Sequence, residues 1–197
     1  INIITCHLGN GSSITAVKNG KSFDTTMGFT PLAGTLMGTR CGDIDPAIVT
    51  YLMEKENLST KEINNIMNKN SGILGVSGIS SDFRDVAAAA NEGNEQAAAG
   101  LEMFYYQIRK YIGSYAAALG KVDAVVFTAG IGENDSTLRK EVVSKLSILG
   151  MGINEEKNKI RGEETDISSD DATVKAFIIP TNEELMIALE TKELIEK

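Results

Sequence analysis

Polar and glycine-rich residues gather in five short stretches of this sequence, and each has a chemical use beside a structural one. His7-Leu8-Gly9-Asn10-Gly11-Ser12-Ser13 sets two glycines, an amide and two hydroxyls at the end of an apolar run. Glycine lets backbone approach a ligand, so successive N–H groups can converge on an anion; the same string also suits an ordinary hairpin turn. His7 is the single histidine, and a lone His at a strand end is usually a structural residue. Gly38 to Asp45 (GTRCGDID) holds Arg40 in a loop, away from any apolar stripe. A guanidinium there can neutralise charge on a transferring phosphoryl group, or it can pair with Asp43 or Asp45 at the surface.

Ser80-Ser81-Asp82-Phe83-Arg84-Asp85 marks a helix start. Phe83 or the stem of Arg84 can flank an aromatic base and Asp82 can accept from a hydroxyl or amine, while Ser81 or Asp82 serves equally as an N-cap. Thr128-Ala129-Gly130-Ile131-Gly132-Glu133-Asn134 follows the apolar run AVVFT. A glycine-rich turn at the carboxyl end of a strand is where open α/β sheets bind ligands. It is neither a GxGxxG, because Asp135 stands where the third glycine belongs, nor a P-loop, because no GKS or GKT follows. A plain strand-to-helix turn is the competing reading. Pro180-Thr181-Asn182-Glu183-Glu184 closes the series: Thr181 with Glu184 reads as a capping box, leaving Glu183 for the helix dipole or a magnesium ion.

The elements that must position these stretches follow from periodicity. Ile1 to Leu8 predicts a strand, and residues 13–17 and 21–26 predict a hairpin through Asn19-Gly20. Met27 to Asp43 has many small residues and little periodicity, as expected of an ordered functional loop. Helices are predicted from Asp45-Pro46, with Ile48, Val49, Leu52 and Met53 as the apolar stripe, and from the capping box Ser59/Glu62. Further helices are predicted from about Phe83 and over Glu95 to Leu119. Ala124–Thr128 predicts a strand buried on both faces, followed by a turn at residues 130–134 and a helix from near Ser136 to Gly150. Residues 154–172 read as an acidic surface excursion, Val174 to Ile179 as the last strand, and the chain ends in a helix. Three antiparallel strands followed by crossover units give one α/β domain, a mixed sheet with helices on both faces in a ribonuclease-H-like arrangement.

The 197 residues suffice for a sizeable core, and no apolar run reaches the ~20 residues of a membrane span. A net charge of −8 argues against nucleic acid as a partner but not against a small phosphate ligand, whose site is made locally. Cys6 and Cys41 lack metal-ligand spacing and read as reduced cytoplasmic thiols.

The strings HLGNGSS, GFTPLAGTLMGTRCGDIDP, SGILGVSGISSDFRD, VFTAGIGEN and IPTNEEL, in this order, resemble the second half of acetate kinases, from Ile3 to the last helix. The resemblance implies an actin-like ATPase lobe that clamps ATP or ADP with Mg²⁺. It implies that His7, Leu8, Gly9, Asn10 and Gly11 form the phosphate-contacting loop. Asp82, Phe83, Arg84 and Gly130, Ile131, Gly132, Glu133 and Asn134 would then hold the adenosine part, with Arg40 as the catalytic arginine and Glu183 serving the metal. The reaction implied is reversible phosphoryl transfer between ATP and acetate, giving acetyl phosphate. The family's N-terminal lobe, with its catalytic aspartate, acetate-contacting arginine, second histidine and magnesium-contacting asparagine, has no counterpart here. Nucleotide binding without turnover is therefore expected of this chain alone. A propionate or butyrate kinase, and a non-catalytic dimerisation module using the tyrosines of the 95–119 helix, are the rival readings; a cytoplasmic homodimer is implied in either kinase reading.

Overall fold

Alternating burial decides the sheet. In β1 (Asn2–Leu8), Ile4, Cys6 and Leu8 are fully buried while Ile3, Thr5 and His7 are half-buried, the period of two expected of a strand whose faces differ. The structure, a computed structural model, describes residues 1–196. β1 pairs antiparallel with β2 (Ser12–Lys18), which pairs with β3 (Lys21–Thr25) through the predicted turn, where Asn19 and Gly20 take φ of 51° and 76°. On its other edge β1 runs parallel to β4 (Ala124–Thr128), and β4 parallel to β6 (Lys175–Ile178). The strand order is β3-β2-β1-β4-β6-β5; the sheet is mixed as expected, with one strand more than the five predicted.

The outermost strand, β5 (Thr165–Asp166), pairs antiparallel with β6 and lies inside the stretch expected to be a surface excursion. That expectation is corrected: Asn158, Ile167 and Ser168 are buried, because the segment caps the sheet edge and its acidic residues only flank the parts that do so.

Helices α1 (Pro46–Lys55) and α2 (Thr60–Lys69) start at the predicted caps, Asp45 and Ser59 with Glu62. The α1 stripe does not enter the core: none of its residues is buried, and Ile48 and Tyr51 lie open. A short helix, α3 (Gly72–Ser77), was hidden by its glycines. α4 (Phe83–Asn91) and α5 (Glu95–Leu119) match their predicted starts. α5 buries Phe104, Ile108, Ile112 and Tyr115 against the sheet, and Gly100 lets Ile73 of α3 approach. The tyrosines chiefly pack within the domain: Tyr105 and Tyr115 are buried and Tyr111 is half-buried, leaving Tyr106 exposed.

After β4, the expected turn at 130–134 is a helix, α6 (Ala129–Asn134), and the helix expected to reach Gly150 ends at Val143 as α7 (Ser136–Val143). Gly150 does stop a helical turn, the 3₁₀ segment Ser147–Leu149. Leu138, Val142 and Val143 of α7 join α3, α4 and α5 in one core with Ile4, Cys6, Val125, Phe127 and Ile178. The last helix, α8 (Glu183–Ile195), has no buried residue. Its N-cap is Asn182, whose side chain accepts from Leu185 N, rather than Thr181 as the capping-box pattern predicted; Thr181 is engaged elsewhere. No helix among the described residues is long and apolar enough to cross a membrane.

Candidate functional site

β1 and β4 run parallel and end side by side, so whatever follows each of them meets at one edge of the sheet. After β1 the chain turns through Gly9, Asn10 and Gly11, closed by Gly9 N–H donating to Gly11 O and Ser12 Oγ donating to Gly9 O. The N–H groups of Asn10 and Gly11 have no partner among the described residues. After β4 the chain enters α6 at once, because Ala129 takes the left-handed conformation, φ 63°, uncommon for a residue with a Cβ. Thr128 makes no side-chain cap, so the first N–H groups of α6 are also left without a side-chain acceptor. α6 lies against β1 at Gly132, where a Cβ would sit in van der Waals contact, 3.4 Å from Cys6 O.

These two backbone turns form one wall of a cleft of about 990 Å³. Gly9, Asn10, Gly130, Ile131 and Asn134 line it on that side, and Asp82, Phe83, Arg84 and Asn91 on the other. Three of the five sequence stretches are thus brought together. Asp82 caps α4, accepting from Arg84 N at 2.9 Å, and takes Arg84 Nε and Nη2 at 3.0 and 2.6 Å. The guanidinium holds the Asp82 carboxyl down at about 2. The Phe83 ring is not available to flank a base: it is buried, with its centroid 4.6 Å from that of Phe104. At the first turn of α4 it falls on the inward face with Val86, and the exposed stem of Arg84 remains for stacking.

The other sequence candidates stand outside the cleft lining. Leu8 is a core residue, so only its backbone can serve a ligand, and His7 projects to the half-buried face of β1. Glu133 points away, accepting from Thr181 N at 2.9 Å and Thr181 Oγ1 at 3.3 Å. That pairing fastens the residues before α8 to α6. Glu183 lines a separate shallow depression, and its carboxylate has no hydrogen-bond or ion-pair partner among the described residues. No cluster of three or more metal-ligating side chains occurs among the described residues. A single free carboxylate suits Mg²⁺ all the same, since that ion is commonly held by one or two carboxylates, waters and substrate phosphates.

Arg40 packs against the β1 turn: a Cβ on Gly11 would lie 3.2 Å from its Nη1, which donates to Pro31 O at 3.1 Å. The surface-pair reading fails, since Asp43 binds Gly34 N and Tyr111, and Asp45 caps α1. Arg40 Nε and Nη2 have no partner among the described residues. Gly38 joins its loop to the turn: Gly38 N–H donates to Asn10 O at 3.0 Å, and a Cβ there would overlap Asn10 Oδ1.

Two residues of this region escaped the sequence reading. Arg161 lines the cleft from within the supposed excursion. Arg139 is wholly buried, donating to Gly132 O, Asn158 Oδ1, Asn158 O and Ile160 O at 2.8, 2.8, 2.6 and 3.2 Å. It ties α6 to the segment carrying Arg161, and burial lowers its pKa to about 10. Val142 and Val143 stand at i+3 and i+4 from Arg139, so helical spacing alone puts it on the inward face; its charge is what argues for the surface. Cys6 is buried and Cys41 half-buried, both free, and burial pushes both thiols up.

A model of the acetokinase family matches residues 1–189. The chain is 63% identical over 196 residues to an acetate kinase of Methanosarcina mazei, covering 100% of this chain and 48% of that protein. It superposes on the crystal structure of Porphyromonas gingivalis acetate kinase with a TM-score of 0.95 at 47% identity, over 98% of this chain and 49% of the other. A propionate kinase from Francisella tularensis gives 0.89 at 48% identity, over 95% and 48%. The chain therefore spans about half the length of the relatives it matches.

Proposed function

Because this chain belongs to the acetokinase family, we propose that it is the nucleotide-binding half of an acetate kinase, which transfers a phosphoryl group reversibly between ATP and acetate. One observation carries the reading: two sets of unpaired backbone N–H groups, after β1 and after β4, face a single cleft with Arg40 packed on the first of them.

In this reading the phosphates lie over the Gly9–Gly11 turn, where Asn10 and Gly11 N–H are free to donate. The nucleoside lies between the Arg84 stem and the first residues of α6, Gly130 and Ile131. Arg40, with Nε and Nη2 free, neutralises charge on the moving phosphoryl group, the chief demand of this chemistry. Glu183 would offer one carboxylate toward Mg²⁺, whose charge would offset that of the phosphates when bound. Acetate, acetyl phosphate, the homodimer and the cytoplasmic setting enter with this proposal. Propionate kinase is the alternative that the Francisella likeness keeps open, since identity to the two solved kinases is nearly equal.

The test is a calorimetric titration of MgADP and MgATP into the chain, beside an Asn10→Ala/Arg84→Ala variant. Saturable binding by the chain and its loss in the variant is the expected result. Equal binding by both proteins would remove the nucleotide from this cleft. The chain alone is expected to show no turnover of ATP with acetate, and turnover like that of an intact acetate kinase would refute the division of labour.

A further inference from the structure

The loop that carries Arg40 is fastened to the core at both ends by side chains that lie outside the cleft. Asp43 closes it: its N–H donates to Gly34 O and its Oδ1 accepts from Gly34 N, each at 2.8 Å. The closure is tight enough that a Cβ on Gly42 would lie 2.6 Å from Gly34 O. The remaining carboxylate oxygen, Asp43 Oδ2, accepts from Tyr111 O–H. One helical turn earlier on α5, Gln107 Oε1 accepts from Leu36 N at 2.6 Å. Residues 107 and 111 thus form an i, i+4 pair on one face of a helix whose other face is packed on the sheet.

Between these two anchors the backbone has little freedom. Met37 N donates to Arg40 O, Ser71 N to Thr39 O and Cys41 N to Met67 O, so Arg40 sits at the tip of a braced turn. Its guanidinium, by contrast, is held only by Pro31 O and the Met37 sulfur. Where Arg40 points is therefore set by the backbone under it, which α2 and α3 brace from below and which Asp43, Tyr111 and Gln107 fasten to α5 at its two ends.

We infer that Tyr111, acting through Asp43 and helped by Gln107, is a positioning residue that holds Arg40 in register with the Gly9–Gly11 turn. The inference rests on the phosphoryl-transfer reading above and names residues that neither touch the cleft nor line it. Misplacement of a catalytic group by a fraction of an ångström to an ångström slows the chemical step without altering ground-state binding.

The experiment is steady-state kinetics on the full-length enzyme for Tyr111→Phe, Gln107→Met, Arg40→Ala and the double variants with Arg40→Ala, with melting temperatures measured in parallel. Tyr111→Phe is expected to lower kcat about tenfold with KM for MgATP within about twofold, the size that a sub-ångström shift accounts for. Arg40→Ala is expected to lower kcat by about 10²-fold or more. Tyr111→Phe should then cost nothing further in the Arg40→Ala background, because the bond acts only through that arginine. Losses that multiply, or a Tyr111→Phe effect confined to KM or to the melting temperature, would overturn the positioning role. So would a Tyr111→Phe chain that fails to fold while Gln107→Met leaves kcat unchanged. An Arg40→Ala variant with undiminished kcat would instead sink the catalytic reading itself.

Discussion

Replacing Arg139 by methionine tests whether the cleft's rear wall is held by one buried cation. Among the described residues no carboxylate lies within ion-pair distance of the guanidinium, which is satisfied by neutral oxygens. Methionine would leave Gly132 O, Asn158 O and Asn158 Oδ1 without their donor in buried surroundings, whereas Ile160, at the surface, can turn to water. Each buried orphaned acceptor costs about 1–3 kcal/mol, a gross loss of about 3–9 kcal/mol. Several kcal/mol return because the charge need no longer be buried, a penalty that shows in the lowered Arg139 pKa. The net expectation is a destabilisation of about 3 kcal/mol. In urea, with a slope of about 2 kcal/mol per molar, the midpoint should fall by about 1.5 M. Hydrogen exchange should show residues 157–161 opening before the rest of the chain, since Arg139 is their main tie to α6. A loss under about 1 kcal/mol, or exchange that quickens evenly everywhere, would refute the assignment of Arg139 as the tie between α6 and the segment of Arg161.

Gly38→Ala should weaken MgADP binding by about tenfold or more while Gly113→Ala, with nothing near its Cβ position, leaves it unchanged. A Cβ at Gly38 overlaps Asn10 Oδ1 and meets Ser81 O at 3.0 Å, so calorimetry showing normal affinity would mean the turn can yield. Asp82 should titrate near pH 2 by carboxyl NMR, and Arg84→Ala should raise that value toward the ordinary one while leaving the helix cap in place. The sign follows from a folded pKa below the unfolded one of 3.8: the contribution is complete above pH 3.8 and is lost as pH falls toward 2. A midpoint unmoved by Arg84→Ala would assign the shift to the cap alone.

How much could be read in advance depended on whether the physics was local. Strand β4, helix α5 and the Asn19-Gly20 hairpin follow from runs, spacing and turn chemistry contained in a few residues, and they fell where predicted. Failures came where tertiary contact decided. Thr181 fits a capping box as well as any residue, yet Glu133, 48 positions away, takes its N–H and leaves the cap to Asn182. Ala129 gave no hint of a left-handed conformation, so a helix was read as a turn. Phe83 was free to face either way in the sequence, and the core claimed it through Phe104. The α1 stripe is apolar at helical spacing, but spacing alone does not say what covers it, and among the described residues it is nowhere fully buried.

The net charge of −8 and an anionic ligand stand together without contradiction, because field and contact act over different distances. Exposed carboxylates elsewhere on the surface are screened within about a Debye length of ~8–10 Å. Most charges with partners answer one another nearby: Asp82 with Arg84, Asp123 with Lys121, Glu155 with Lys140. What faces the β1 turn is one-signed. The free N–H groups of Asn10 and Gly11, the open start of α6 and the unpaired Nε and Nη2 of Arg40 all present positive charge, and Asp43 and Asp45 are turned to other work. Engaging those two aspartates elsewhere matters alongside placing the arginine. Either carboxylate paired with Arg40 would compete with a phosphate for it, and the bonds to Gly34, Tyr111 and Ala47 hold the two carboxylates elsewhere. A basic protein is thus not required for phosphate chemistry; a small set of donors whose own acceptors have been occupied elsewhere is sufficient.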